Sequence, residues 1–142
     1  IKVEEIEVAG TEGGFLRFNL LGSGIQDQFP VSGMDGIPTV KNFSFSRVKV
    51  HDVPVLADGT SVHPLKPLQG FMLTDVSGTC KKGISLANIQ NANLSNINVS
   101  GYEGPLLSIN SVTGKGLAGA VKIDPPKVPE MIQPLNPPYE LK

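Results

Sequence analysis

The chain has 142 residues, 16 of them Gly and 12 Pro, no Trp, a formal charge of −1 and 18% charged residues. That is one domain-sized unit without the basic stripe of a nucleic-acid binder, and no apolar run approaches the roughly 20 residues that span a bilayer. The single cysteine, Cys80, excludes an intrachain disulfide; beside Lys81 and Lys82 it reads as a buried or turn cysteine, a reactive thiol being the alternative.

In chain order, Ile1-Lys-Val3-Glu-Glu-Ile6-Glu-Val8 alternates apolar and polar residues and then skips one. Two short strands meeting at a bend give that pattern. The strand Phe15-Leu-Arg17-Phe-Asn19-Leu follows. Alternation turns Leu16, Phe18 and Leu20 inward and Phe15, Arg17 and Asn19 outward. Arg17 and Asn19 side by side form a candidate site for an acidic, hydroxyl-rich ligand, bound through charge-assisted hydrogen bonds; a solvated strand face is the plainer reading.

Residues 21–38 lose the alternation and read as a long loop, in which Gln26, Asp27, Gln28 and Asp35 are the polar residues of note. The pattern resumes with Val40-Lys-Asn-Phe43-Ser-Phe45-Ser-Arg-Val48-Lys-Val50, followed by Val53-Pro-Val55-Leu56. Residues 51–64 otherwise read as irregular. They hold His51 and His63, whose spacing suits no metal site, and Asp58-Gly59, which reads as a turn.

Residues 67–110 state the pattern twice. Phe71, Leu73 and Val76 are matched by Ala92, Leu94 and Ile97, and Gly83-Ile-Ser-Leu86 is matched by Gly104-Pro-Leu-Leu107. A repeat of about two dozen residues or fewer is the length of one solenoid coil. The intervening Ser, Thr, Asn and Asp residues disfavour helix. Four such units, each a bent strand pair followed by a third strand, describe successive coils of a parallel β-helix. Asparagines at 88, 91, 93, 96 and 98 suit amide ladders between coils. Asn42-Phe-Ser44, Asn93-Leu-Ser95 and Asn98-Val-Ser100 also match the N-glycosylation acceptor pattern. Gly114-Lys-Gly116 lacks the spacing of a phosphate loop and reads as a turn.

Residues 121–142 contain Pro125, Pro126, Pro129, Pro134, Pro137 and Pro138 among Val128, Met131, Ile132, Leu135, Tyr139 and Leu141. Proline forbids helix and central strand there, so an extended tail is expected, packed along the coils or over their last end. The first unit, by contrast, opens inside a strand, without initiator Met or leader. Further coils before Ile1, or a partner chain, are expected to cover that end. Without a cover, Val3, Ile6, Leu16 and Phe18 make the isolated chain marginal or self-associating.

Residues 38–50, the Leu68-Gln-Gly-Phe71-Met-Leu73-Thr-Asp-Val76 run, Gly83-Ile-Ser-Leu-Ala-Asn-Ile89 and Phe15-Leu-Arg-Phe-Asn19 together resemble the C-terminal coils of glycoside hydrolase family 28, the polygalacturonases and related pectin-degrading enzymes. The resemblance covers residues 1–120. It implies an all-β, right-handed parallel β-helix of the pectin-lyase type, about four coils long, plus the tail at 121–142. It also implies a secreted or periplasmic protein without cofactor or metal, acting on a pectic polysaccharide. The family hydrolyses galacturonan with inversion, using carboxyls roughly 6.5–9.5 Å apart. Its acids lie in Asn-Thr-Asp and Asp-Asp motifs, followed by Gly-His-Gly and Arg-Ile-Lys; none occurs here. Leu20 and Leu21 also stand where the family often has a tyrosine. The resemblance therefore implies scaffold and cleft edge, with no catalytic residue, and Arg17, beside Asn19, as the contact to a galacturonate carboxylate. A polysaccharide-binding or adhesin-like β-helix without catalytic coils is the alternative reading, and a purely structural solenoid is a third.

Overall fold

The computed structural model describes residues 1–22 and 33–128. The chain is all-β. Its strands are β1 (Lys2–Ala9), β2 (Leu16–Leu20), β3 (Lys41–Val62), β4 (Leu68–Ser100), β5 (Leu107–Lys115) and β6 (Val121–Lys122), with one 3-10 turn at Gly33–Gly36. They form one sheet in the order β1-β3-β4-β5-β6, with β2 also beside β3. Every ladder is parallel.

Strands β3 and β4 have 22 and 33 residues, against the usual 3–10. Drawn straight, β4 alone would run about 110 Å. Bends at left-handed residues prevent this. Glu5 (φ 57°), Arg47 (φ 54°), Asp75 (φ 55°) and Asn96 (φ 52°) all have positive φ. The register that pairs Glu4 with Ser46 and Ile6 with Val48 puts Glu5 beside Arg47, and the next ladder puts Arg47 beside Asp75. Asn96 in turn donates to Asp75 Oδ1 at 2.7 Å, 21 residues back along the chain. The bends thus stack. Asn and Asp enter this region at low cost through their short polar side chains. Glu5 and Arg47 lack that relief and instead face each other at 3.5 Å.

Because the ladders are parallel and in register, like residues superpose. Val3, Phe45 and Leu73 share one row, and Ile6, Val48 and Val76 another. Leu16, Ala57, Ile84 and Leu107 form a third. These rows turn inward and make the core, in which Phe71, Leu56, Leu73, Leu86 and Ile89 are fully buried. Phe18, Phe43, Phe45 and Phe71 form an aromatic group within it, Phe18 meeting Phe43 edge-on with centroids 5.5 Å apart. At the margins burial falls off: Val3, Ile6, Leu16 and Phe18 at one, and Ile97, Ile109 and Val112 at the other, are half-buried.

Several local readings of the sequence are corrected. Phe15 does not face outward: strand alternation begins only at Leu16, after positive-φ Gly14, and Phe15 packs on the core against Phe45. Residues 51–62 are strand, because β4 pairs alongside them through Val53–Cys80, Val55–Lys82 and Ala57–Ile84. Asp58-Gly59 is accordingly strand and no turn. Gly59 serves clearance: a Cβ there would lie 2.5 Å from the Phe18 ring. Gly114 and Lys115 likewise belong to β5, Gly114 admitting the Ala92 carbonyl at a distance where a Cβ would clash. The long loop contains the 3-10 turn, with Asp35 exposed and Ile37 buried. Gln26, Asp27 and Gln28, and the tail from Pro129 onward, lie outside the described residues.

Candidate functional site: the outward face of β2 and its neighbours

The β2 strand alternates as its sequence dictates. Leu16, Phe18 and Leu20 pack on the core, while Arg17 and Asn19 are exposed. Parallel pairing carries this face across the sheet. Arg17 lies beside Asp58, Asp58 beside Ser85 and Ser85 beside Ser108, at strand spacings of about 4.8 Å. Asn19 lies beside Ser61. The result is a cation and an amide at one edge of a row with half-buried Asp58, Ser61 and Ser85, and with Ser108 buried at its far end.

Arg17 Nε is 3.7 Å from Asp58 Oδ2. The other carboxylate oxygen, Oδ1, accepts the Thr60 N–H at 3.2 Å and the Thr60 hydroxyl at 2.8 Å. Thr60 therefore fixes the Asp58 rotamer and leaves Oδ2 to Arg17. With the Arg17 side chain 63% exposed, a long ion pair of this kind contributes about 0–1 kcal/mol. An incoming anion can displace it. Asn19 Oδ1 accepts the Leu21 N–H at 3.1 Å; the amide is thereby oriented by its own strand end and offers a ligand its N–H₂ group and the second lone pair of Oδ1.

Two insertions border this face. Leu20 pairs with Val62, and past that corner the described residues 21–22, 33–40 and 63–67 lie outside the strands. Lys66 Nζ joins them by donating to the Ile37 carbonyl at 2.9 Å. His63 is buried there, its Nδ1 accepting the Leu65 N–H at 3.1 Å, which in the neutral ring puts the proton on Nε2. His51 is elsewhere, exposed, with Nε2 2.8 Å from Glu7. The structure thus keeps the two histidines apart. Among the described residues no group of three His, Cys, Asp or Glu side chains is placed to hold a metal ion, and no helix is long and apolar enough to cross a membrane.

The alternation in the sequence expects Arg17 and Asn19 to face outward, and both are exposed, but it gives no sign that Asp58 and Thr60 lie beside them. The Asp58-Gly59-Thr60 string carries an Asx-type side-chain capture, which was masked by its equally good fit to a turn. Cys80 is buried beneath the bend near Lys81 and Lys82, and desolvation raises its thiol pKa. Of the acceptor-type asparagines, Asn42 and Asn98 are exposed and Asn93 is half-buried. Asn98 donates to Asn96 Oδ1 at 2.6 Å, two residues back in the same strand, and Asn96 reaches a neighbouring passage through the Asp75 carboxylate, so these bonds form no ladder of amides.

The chain matches no protein-family model, no curated protein and no solved structure.

Proposed function

We propose that this chain is the C-terminal part of a right-handed parallel β-helix that handles pectic polysaccharide, as in a secreted or periplasmic polygalacturonase-like glycoside hydrolase. Three features support the architecture: ladders that are parallel throughout, bends that stack at Glu5, Arg47, Asp75 and Asn96, and a chain that returns to its own register after 28 and then 21 residues. A parallel return within so few residues needs the chain to circle a core, since hairpins make only antiparallel pairs.

The observation that carries the functional reading is exposed Arg17 paired with half-buried Asp58, beside Ser61 and Ser85. A galacturonate carboxylate takes the place of Asp58 on the Arg17 guanidinium, while Asn19 N–H₂, Ser61 and Ser85 meet sugar hydroxyls. Inverting hydrolysis itself needs two sets of carboxyls that this sequence does not carry in the family's motifs. This chain accordingly supplies scaffold and one edge of the cleft, and another β-helix segment or partner chain over the free edge of β1 supplies the acids.

The test is titration with galacturonan oligosaccharides against neutral galactan ones, by calorimetry. A charge-assisted hydrogen bond is worth about 1.5–3 kcal/mol, so Arg17→Ala weakens galacturonan binding roughly ten- to hundredfold and leaves neutral glycans unaffected. Equal affinity of the two proteins for galacturonan sinks the proposal. The absence of the acid motifs favours a second reading, a β-helix that binds polysaccharide without cleaving it. Release of reducing ends from polygalacturonate by the intact native protein excludes that one.

A further inference from the structure

Asn42 near the start of β3, Gly70 near the start of β4 and Asn91 further along β4 all take left-handed geometry, at φ 60°, 81° and 58°. The pairs Lys41–Gln69 and Phe43–Phe71 put Asn42 beside Gly70. Asn42, Gly70 and Asn91, together with Ser44, Met72 and Asn93, line one open groove of about 180 Å³. That is slightly more than the roughly 150 Å³ that holds a benzene ring, so the groove has room for one six-membered ring. Gly70 creates this room. A Cβ there would lie 2.6 Å from Asn42 Oδ1, in the space over which the Asn42 amide leans.

The lining is polar but carries no charged side chain. The Asn91 backbone is held by its N–H donating to Thr113 Oγ1 at 3.3 Å. The side-chain amides of Asn42, Asn91 and Asn93 find no partner among the described residues, whereas those of Asn88, Asn96, Asn98 and Asn110 all donate within the protein. A carboxamide sets a donor next to an acceptor, which matches two neighbouring hydroxyls of a sugar. Met72 is 39% exposed, and its thioether offers a polarizable, apolar surface. Ser44 Oγ donates to Met72 Sδ at 3.6 Å, which ties that side chain to the groove. A carboxylate or phosphate meets no charge-assisted donor in this lining.

We propose that the groove binds one uncharged pyranose unit of a glycan, its hydroxyls bonded by the Asn42 and Asn91 amides and its C–H face against Met72. None of these residues belongs to the Arg17 row, and the proposal does not rest on the pectin reading. It is tested on the full chain by NMR, following the asparagine side-chain amides during titration with neutral oligosaccharides of galactose, glucose, mannose or xylose, and with oligogalacturonate. Expected is that at least one neutral oligosaccharide shifts the Asn42 and Asn91 amides and that oligogalacturonate does not. Gly70→Asn fills the gap and abolishes these shifts. Asn91→Gly keeps a backbone geometry that glycine takes freely, removes one amide and weakens binding about tenfold. Three results would each overturn the proposal: no shift with any of the neutral oligosaccharides, equal shifts with oligogalacturonate, or an unchanged titration in either folded variant.

Discussion

Replacing Gly78 by alanine tests the register on which the rest of the fold depends. Gly78 lies beside Val50 in the β3–β4 ladder at φ 123°, a region that is nearly closed to side chains. A Cβ built there lies 1.8 Å from the Val50 carbonyl oxygen, 2.8 Å from its carbon and 3.0 Å from its nitrogen. All three are backbone atoms of a fully buried residue, so no side chain can swing aside. Backbone strain of about 1–3 kcal/mol and overpacking of about 1–3 kcal/mol together predict a loss of about 2–6 kcal/mol. At about 2–4 °C per kcal/mol for a chain of this size, Tm falls by at least roughly 4 °C, read by circular dichroism. Gly70 provides the control. It also has positive φ, 81°, but the nearest atom to its Cβ is the Asn42 side-chain oxygen at 2.6 Å, which can rotate. Asn42 and Asn91, its neighbours in the same groove, already hold asparagine in left-handed geometry. Gly70→Asn should therefore change stability by no more than about 1 kcal/mol. Equal Tm values for wild type and Gly78→Ala would refute the pairing of Gly78 with Val50.

The remaining predictions concern titratable groups. Cys80 is buried, with its thiol pKa raised by desolvation, so iodoacetamide should modify it only as fast as the core opens; alkylation in the native state at the rate of the denatured chain would contradict this burial. Glu4 is held below its ordinary 4.5, first by the hydrogen bond and charge of Lys2 and less by Arg47. A depressed carboxyl contributes stability above its unfolded pKa and loses it as pH falls through the folded value, so this small contribution disappears only below pH 4.5. Lys2→Met should move the Glu4 carboxyl titration, followed by NMR, back upward, and an unmoved midpoint would rule out Lys2 as the main cause.

Much of the fold is legible because parallel in-register pairing repeats one chemical pattern. The match of Phe71, Leu73 and Val76 to Phe43, Phe45 and Val48 is the β3–β4 register itself. Less legible were the bends. Asparagines at 88, 91 and 96 suggested ladders, and Asn96 does bond Asp75, but their positive φ is shared by Glu5 and Arg47, whose residue types give no local hint of it. Asp58-Gly59 misled because glycine marks both turns and close approaches; only the position of the Phe18 ring distinguishes the two. That Arg17 points outward is legible from alternation, whereas its partner Asp58 is 41 residues away along the chain and joins it only through the β2–β3 ladder.

The corner beside Asn19 explains how one scaffold yields both a regular sheet and a particular surface. Where β4 passes it, Asn88 and Asn91 turn the chain within three residues by taking left-handed geometry, and Asn88 Nδ2 caps the Val62 carbonyl of the preceding passage at 2.8 Å. The two earlier passages reach the same corner at Leu20 and Val62, where β2 and β3 end, and the following strands begin at Lys41 and Leu68. Lengthening a connection at such a point costs little, since closure entropy grows only with the logarithm of loop length. The ladders on either side remain intact because their register is set by buried rows such as Leu16–Ala57–Ile84. Among the described residues of these two connections, Lys66 donates to the Ile37 carbonyl and ties them together. Such connections can change in length and sequence while the strand residues that present Arg17 stay fixed by packing.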